Sequence, residues 1–294
     1  MLANPYFLIL FFTLFGCKDA NKTQLKALQT KIHTVSATNN SVPDTSRSVI
    51  TTYLADKKAN NKTRVVHILV PLCDNEHQGI VPVNANLGNG QNLNTNLYWG
   101  AGYGVRTFFK KSADWTILSI SEGPKPAILQ RLIFKHKTEN VLLIADAYAG
   151  DKMTECLTDF WLELNGTKNF GRDSSLALIN VDSVDFVIFN GHNGLMDTYK
   201  LPEINKDGRR KDAAVIACVS HSYFTPLLEK AGGYPYIMTT NFMAPEAYVS
   251  HAIIDAWIKN KPPAEARMEA GKAYNQYQKC GINGATKLFT YGLD

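Results

Sequence analysis

From residue 65 onward the apolar residues fall into two kinds of block that alternate along the chain. One kind is a short continuous run rich in β-branched side chains. Such runs predict strands buried on both faces, at 65–72 (VVHILVPL), 115–120, 141–145, 184–189, 213–217 and 234–240. The other kind repeats its apolar positions every three or four residues, the spacing of one helix face. It predicts helices over 124–137 and 245–259; helices are also expected over 152–164 and 224–230, with a polar closing helix over 264–279. In 124–137 a proline opens the first turn and Ile128, Leu129, Leu132 and Ile133 share a face. In 245–259 the stripe is Val249, Ala252, Ile253, Ala256 and Trp257, with Pro262 and Pro263 beyond its end. Residues 97–111 read as a helix despite three glycines, and 74–96, punctuated by Gly, Asn and Pro, as a long loop.

Strand–helix alternation implies an α/β fold: a mostly parallel sheet with helices on both faces. In open sheets of that kind, sites form beyond the carboxyl ends of the strands. The residues expected there are Cys73, Asp74 and Asn75; Asp146 and Tyr148; His192 and Asn193; Cys218, Ser220 and His221; and Asn241. The pair that stands out is His192, delivered by VDFVIFNGHNG, and Cys218, delivered by DAAVIACVSH. A thiol attacks as thiolate, and a nearby imidazole can take its proton. Gly191 and Gly194 permit close backbone approach beside His192. Asp197 and Asp146 are candidates to orient the imidazole, with Asp74 and His221 as further pocket residues.

Two other chemistries compete. Cys218 and His221 have C-x2-H spacing and, with His192 and one of Asp197, Asp146 or His77, could complete a metal tetrahedron for a metal-dependent hydrolase. No HExxH or paired CxxC supports this, so neither a metal nor any other cofactor is expected. Alternatively the fold is kept without the chemistry, as a surface binding protein. The glycines of 100–104 lie well past the first strand and fail the spacing of a dinucleotide loop.

The two strand-end motifs, a hydrophobic strand ending in Gly-His and a later one ending in Ala-Cys, resemble those of the caspase, gingipain and separase group of cysteine peptidases. That resemblance implies a caspase-like α/β domain, Cys218 as nucleophile, His192 as base, and a peptide or protein substrate. The oxyanion would be held by backbone N–H groups at Cys218 and around Asn193 and Gly194. The group's pattern has Gly directly after the His, whereas Asn193 intervenes here, and the unit at 141–164 is additional to the simplest layout of the group. The stretches NLYWGAGYGVRTFF and TTNFMAPEAY resemble a family of exported bacterial lipoproteins, which supplies no activity.

The N-terminus changes the picture of where such a domain would act. Tyr6 to Phe15 (YFLILFFTLF) is too short to span a bilayer as a helix and matches a signal-peptide core. Leu14-Phe15-Gly16-Cys17 resembles a bacterial lipobox. That implies removal of residues 1–16, a lipid on Cys17, and an exported protein of the cell envelope whose membrane partner is reached through that lipid. Phe15 is bulkier than the residue usual there, and no Lys or Arg precedes the run. Residues 18–64 carry nine Lys/Arg and three Asp/Glu, whereas the rest of the chain carries 22 and 23. The formal +5 therefore belongs to an expected flexible basic tether, 17–64, able to lie near an anionic membrane. The domain, 65–294, is near neutral. No basic stripe interleaves with aromatics, which argues against a nucleic-acid partner. Of five cysteines, Cys73, Cys156, Cys218 and Cys280 remain after Cys17, and one bridge that spares Cys218 is conceivable.

Overall fold

The computed structural model describes residues 47–166, 183–197 and 209–293. The signal run, the lipobox and Cys17 lie outside the described residues. Eight strands form one sheet in the order β2-β3-β4-β1-β5-β6-β7-β8. They are β1 (Arg64–Pro71), β2 (Trp115–Ser121), β3 (Ile128–His136), β4 (Val141–Tyr148), β5 (Phe186–Asn190), β6 (Lys211–Ile216), β7 (Gly233–Thr239) and β8 (Phe289–Thr290). The five strands from β4 to β7 run parallel, while β2, β3 and β8 are antiparallel to their neighbours.

The helices are α1 (Ser48–Ala59), α2 (Val105–Lys111), α3 (Met153–Asn165), α4 (Ser220–Ala231), α5 (Ala247–Ile258), α6 (Pro263–Gln278) and α7 (Ile282–Lys287). Two cores result, one on each face of the sheet. One joins α1, α2 and α5 to α7 with alternate strand residues such as Val66, Ile68, Ile188 and Ile216. The other joins α3 and α4 with Leu69, Val187, Phe189 and Val215. The expected α/β class with helices on both faces is what the chain adopts. Every residue of β1, β4, β5, β6 and β7 is buried, which is why these strands read as continuous apolar runs.

Three expectations are corrected. Residues 124–137 do not form a helix, because β3 occupies 128–136 as an antiparallel partner of both β2 and β4. Ile133 enters one core while Leu132 and Phe134 enter the other. A strand buried on both faces fills its apolar positions without alternation and so counterfeits the helical spacing. In 97–111 only Val105–Lys111 is helical. The backbone at Gly104 passes so close to Trp99 that a Cβ would lie 2.4 Å from the Trp99 main chain.

The third correction concerns the tether, whose end belongs to the folded body. Helix α1 buries Ile50 and Leu54. It is clamped by two carboxylates near the amino ends of β5 and β6. Arg47 donates two hydrogen bonds of 2.9 Å to Asp212, and Lys57 Nζ donates to Asp185 Oδ2 at 2.6 Å. Both aspartates are fully buried. An ion buried without its partner is costly, so these cations hold the helix against the sheet. Among the described residues no helix is long and apolar enough to cross a membrane.

Candidate functional site

Strand order places the first strand, β1, between β4 and β5, so the chain crosses from one side of β1 to the other after β4. Beyond the carboxyl ends of such strands a crevice opens. The register between β5 and β6 pairs Asn190 with Ile216, and Gly191 N–H extends the ladder by donating to the Ile216 carbonyl. His192 and Cys218 each come two residues after that matched pair. Both therefore lie in the loops just past the carboxyl ends of β5 and β6, side by side in the sheet order. The two loops touch: Asn193 Nδ2 donates to the Cys218 carbonyl at 2.7 Å.

His192 is 6% exposed, and its Nε2 lies 2.9 Å from Asp197 Oδ2. A carboxylate accepts, so Nε2 carries the hydrogen and Nδ1 of the neutral ring is left as an acceptor. Of the two aspartates expected to orient His192, Asp197 does so. Asp146 does not. It sits inside the sheet, accepting from Arg131 Nε at 2.7 Å and contacting His67 Nε2 at 3.1 Å. The other nitrogen of His67 meets Glu163 at 2.7 Å. All four side chains of this chain of charges are buried. Burial opposes the charge on His67, but Glu163 and Asp146 outweigh it and raise its pKa. Burial likewise opposes the Asp146 carboxylate, yet Arg131 and His67 hold it far below the usual range.

Cys218 is half-buried and ends β6 where the chain turns into α4. The turn is made by Val219 at φ +50°, a left-handed conformation that a β-branched residue adopts only under constraint. The constraint is visible. Ser220 Oγ lies 2.9 Å from Thr239 Oγ1 and donates to the Val215 carbonyl at 2.8 Å, while Thr239 Oγ1 also bonds the Ala217 carbonyl. Val219 N–H donates to the Asn241 carbonyl at 3.0 Å. Cys218 thus immediately precedes Val219, the N-cap of a twelve-residue helix.

The immediate partners of the thiol are main-chain atoms. Met243 N–H donates to Sγ at 3.4 Å, and Sγ donates to the Met243 carbonyl at 3.5 Å. Burial pushes the Cys218 thiol up, and the N–H groups of Met243 and of Cys218 itself pull it back. No hydrogen bond joins Cys218 to His192 among the described residues. Burial pushes the thiol of Cys73, which follows β1, up to about 12. All four thiols in the described residues are free.

The remaining expectations divide. Gly194 N–H donates to the His192 carbonyl at 3.0 Å, closing a turn, so it is not free to hold an oxyanion. Asn193 Oδ1 accepts from Leu195 N–H, which makes Asn193 a loop brace. Asp74 caps its own loop, accepting from the N–H groups of Glu76 and His77 and from His77 Nδ1 at 2.9 Å, and does not meet His192. Its carboxylate raises the pKa of exposed His77. His221 is the second residue of α4. No three His, Cys, Asp or Glu side chains among the described residues are placed to hold a metal ion, so the Cys218–His221–His192 metal centre is not formed. A cleft of about 140 Å³ lies across the β5 loop and is lined by His77, Asp151, Thr154, Gly194 and Asp197 among others. Asp197 therefore faces both His192 and this cleft. The parts missed by sequence reading are the Met243 main chain, which leaves no side-chain signal, and Thr239, which reads only as a strand residue.

No protein-family model, no curated protein and no solved structure matches this chain.

Proposed function

We propose that this protein is a cysteine-dependent hydrolase of an acyl bond, with a peptide bond as the leading substrate class. The observation that carries the reading is the register of β5 and β6: His192 and Cys218 follow the same matched pair by the same two residues. In this reading Cys218 Sγ passes its proton to Nδ1 of His192, and Asp197 on Nε2 holds the ring in the accepting tautomer and offsets the imidazolium charge. The sulfur lone pair then bonds to the carbonyl carbon, and the C=O π pair moves to oxygen. Collapse of that intermediate expels the amine, which takes the proton back from His192. Water, deprotonated by the same imidazole, hydrolyses the thioester. The oxyanion donor is the Cys218 N–H, since Gly194 N–H is engaged. A caspase-like arrangement, export and attachment through a lipid on Cys17 belong to the same proposal, resting on the sequence motifs.

The test is peptide-resolved mass spectrometry of iodoacetamide alkylation. At pH 7 the Cys218 rate should fall at least about tenfold in His192→Ala, the loss expected when the thiolate loses its base. An equal rate in both proteins sinks the dyad. One observation favours a second reading: the thiol is bonded to main chain and pushed up by burial. A protein keeping the site for binding alone would show a Cys218 inert to alkylation at every pH that leaves it folded.

A further inference from the structure

The contact between Cys218 and Met243 depends on a segment that crosses the site without regular structure, residues 240–246 between β7 and α5. It is fastened at successive points. The Asn241 carbonyl accepts from Val219 N–H, Met243 meets the sulfur through both its N–H and its carbonyl, and Ala244 N–H donates to Tyr274 Oη at 3.2 Å. The next fastening comes from the strand that carries His192. Asn190 Nδ2 donates to the Pro245 carbonyl at 2.8 Å. Its own Oδ1 accepts from Ser250 Oγ, in the first turns of α5, at 2.6 Å. Asn190 and Ser250 are fully buried. An amide that is buried and bonded at both ends has one orientation here, because flipping it would set its oxygen against the Pro245 carbonyl, acceptor facing acceptor.

We infer that Asn190, oriented by Ser250, is a positioning residue for Cys218: it anchors the main chain at Pro245 so that the Met243 N–H faces the sulfur and sustains its thiolate form. This rests on the reading of Cys218 as nucleophile. An N–H aimed at sulfur interacts more strongly with the anion than with the thiol, so it makes ionisation easier without touching the proton acceptor. The Met243 N–H approaches the sulfur from the 240–246 segment. His192 does a separate job, receiving the proton. The arrangement also accounts for a buried polar pair, Asn190 and Ser250, beside apolar Ile188 and Ile216.

The readout is the pH midpoint of Cys218 alkylation by iodoacetamide, followed by mass spectrometry so that Cys73, Cys156 and Cys280 are resolved separately. In Asn190→Ala the midpoint should rise by about one unit, a roughly tenfold slower reaction at pH 7. Ser250→Ala should move it in the same direction, and Ser250→Thr, which keeps the hydroxyl, should restore it. Circular dichroism establishes that each variant is folded. A midpoint that stays put or falls in folded Asn190→Ala overturns the inference. If that variant does not fold, the Ser250→Ala and Ser250→Thr pair decides by the same criterion. His192→Ala run beside them separates the two claims. A slowed Asn190→Ala with an unslowed His192→Ala keeps the positioning role and removes the hydrolase reading. The reverse pattern keeps the dyad and removes the positioning role.

Discussion

His67 and His192 are built from the same parts, an imidazole beside an aspartate, yet they sit in opposite situations. His67 lies inside the sheet with both nitrogens bonded to carboxylates and Arg131 beyond, and none of it reaches water. His192 lies at the carboxyl edge with one nitrogen on Asp197 and the other unengaged among the described residues. A saturated imidazole has nothing left to give or take, so its charge becomes part of the architecture. A half-saturated one has a defined tautomer and a vacant acceptor, which is what proton transfer requires. The comparison teaches that an Asp–His pair alone does not set a histidine's role: both nitrogens of His67 are closed by carboxylates, whereas under the proposed function the open nitrogen of His192 is the one that takes the proton.

The sharpest way to break the comparison is to remove one member of the buried chain. Asp146→Ala should cost about 3–5 kcal/mol, because it strands Arg131 and leaves His67 with one partner. Urea unfolding measures it, and a loss under about 1 kcal/mol would mean that the chain is not closed in solution. The same chain predicts a pH dependence. His67 has its folded pKa raised, so its contribution is complete below the unfolded value of about 6.5 and is lost as pH rises through the folded value. Asp146 has its folded pKa lowered, so its contribution is complete above about 3.9 and is lost as pH falls through the folded value. Unfolding free energies should therefore fall off on both sides of that interval. In His67→Gln the alkaline fall should shrink, whereas Asp197→Asn should leave it intact.

A smaller effect belongs to the amino edge of the sheet. Arg47→Ala removes a bidentate bond to buried Asp212 and a guanidinium 4.8 Å from the Tyr236 ring, while the Trp257 N–H remains on the carboxylate. The expected loss is about 2 kcal/mol, read as a fall in Tm of about 4–8 °C for a chain of this size. An unchanged Tm would return residues 47–59 to the tether.

These regions also differ in how far they could be read from the sequence. Parallel strands buried on both faces write themselves as apolar runs, so β1, β4, β5, β6 and β7 were legible. The 128–136 stretch was not, because period two and period 3.6 agree over four apolar positions when both faces are buried. Helix α1 was illegible for a different reason. It buries only Ile50 and Leu54 as apolar anchors, and its fastening depends on Asp212 and Asp185, 165 and 128 residues distant from their cations. Within the site, Asp197 lies five residues from His192 and could be proposed. Asp146 was proposed on equal grounds, since a polar residue near a strand end looks the same whether it faces the crevice or the core. The Met243 contact could not be proposed at all, because the atoms that meet the sulfur belong to every residue alike.

The smallest stability effect is the one that tests the edge most directly. Asp197 has a side chain 35% exposed, and its partner is a histidine in a loop that also faces water through the cleft. A pair so placed adds little to folding, and Asp197→Asn should change the unfolding free energy by no more than about 0.5 kcal/mol. The amide can still reach Nε2, but it can present either its oxygen or its nitrogen, so it no longer dictates which ring nitrogen carries the hydrogen. Under the hydrolase reading, turnover of a cleaved peptide should fall by about 10²–10⁴ with stability unmoved. The same substitution in the buried chain, Asp146→Asn, should do the reverse, unsettling the fold while the alkylation of Cys218 in the remaining folded protein keeps its rate. If Asp197→Asn instead lost as much stability as Asp146→Asn, the two histidines would be alike after all, and His192 would be one more architectural charge.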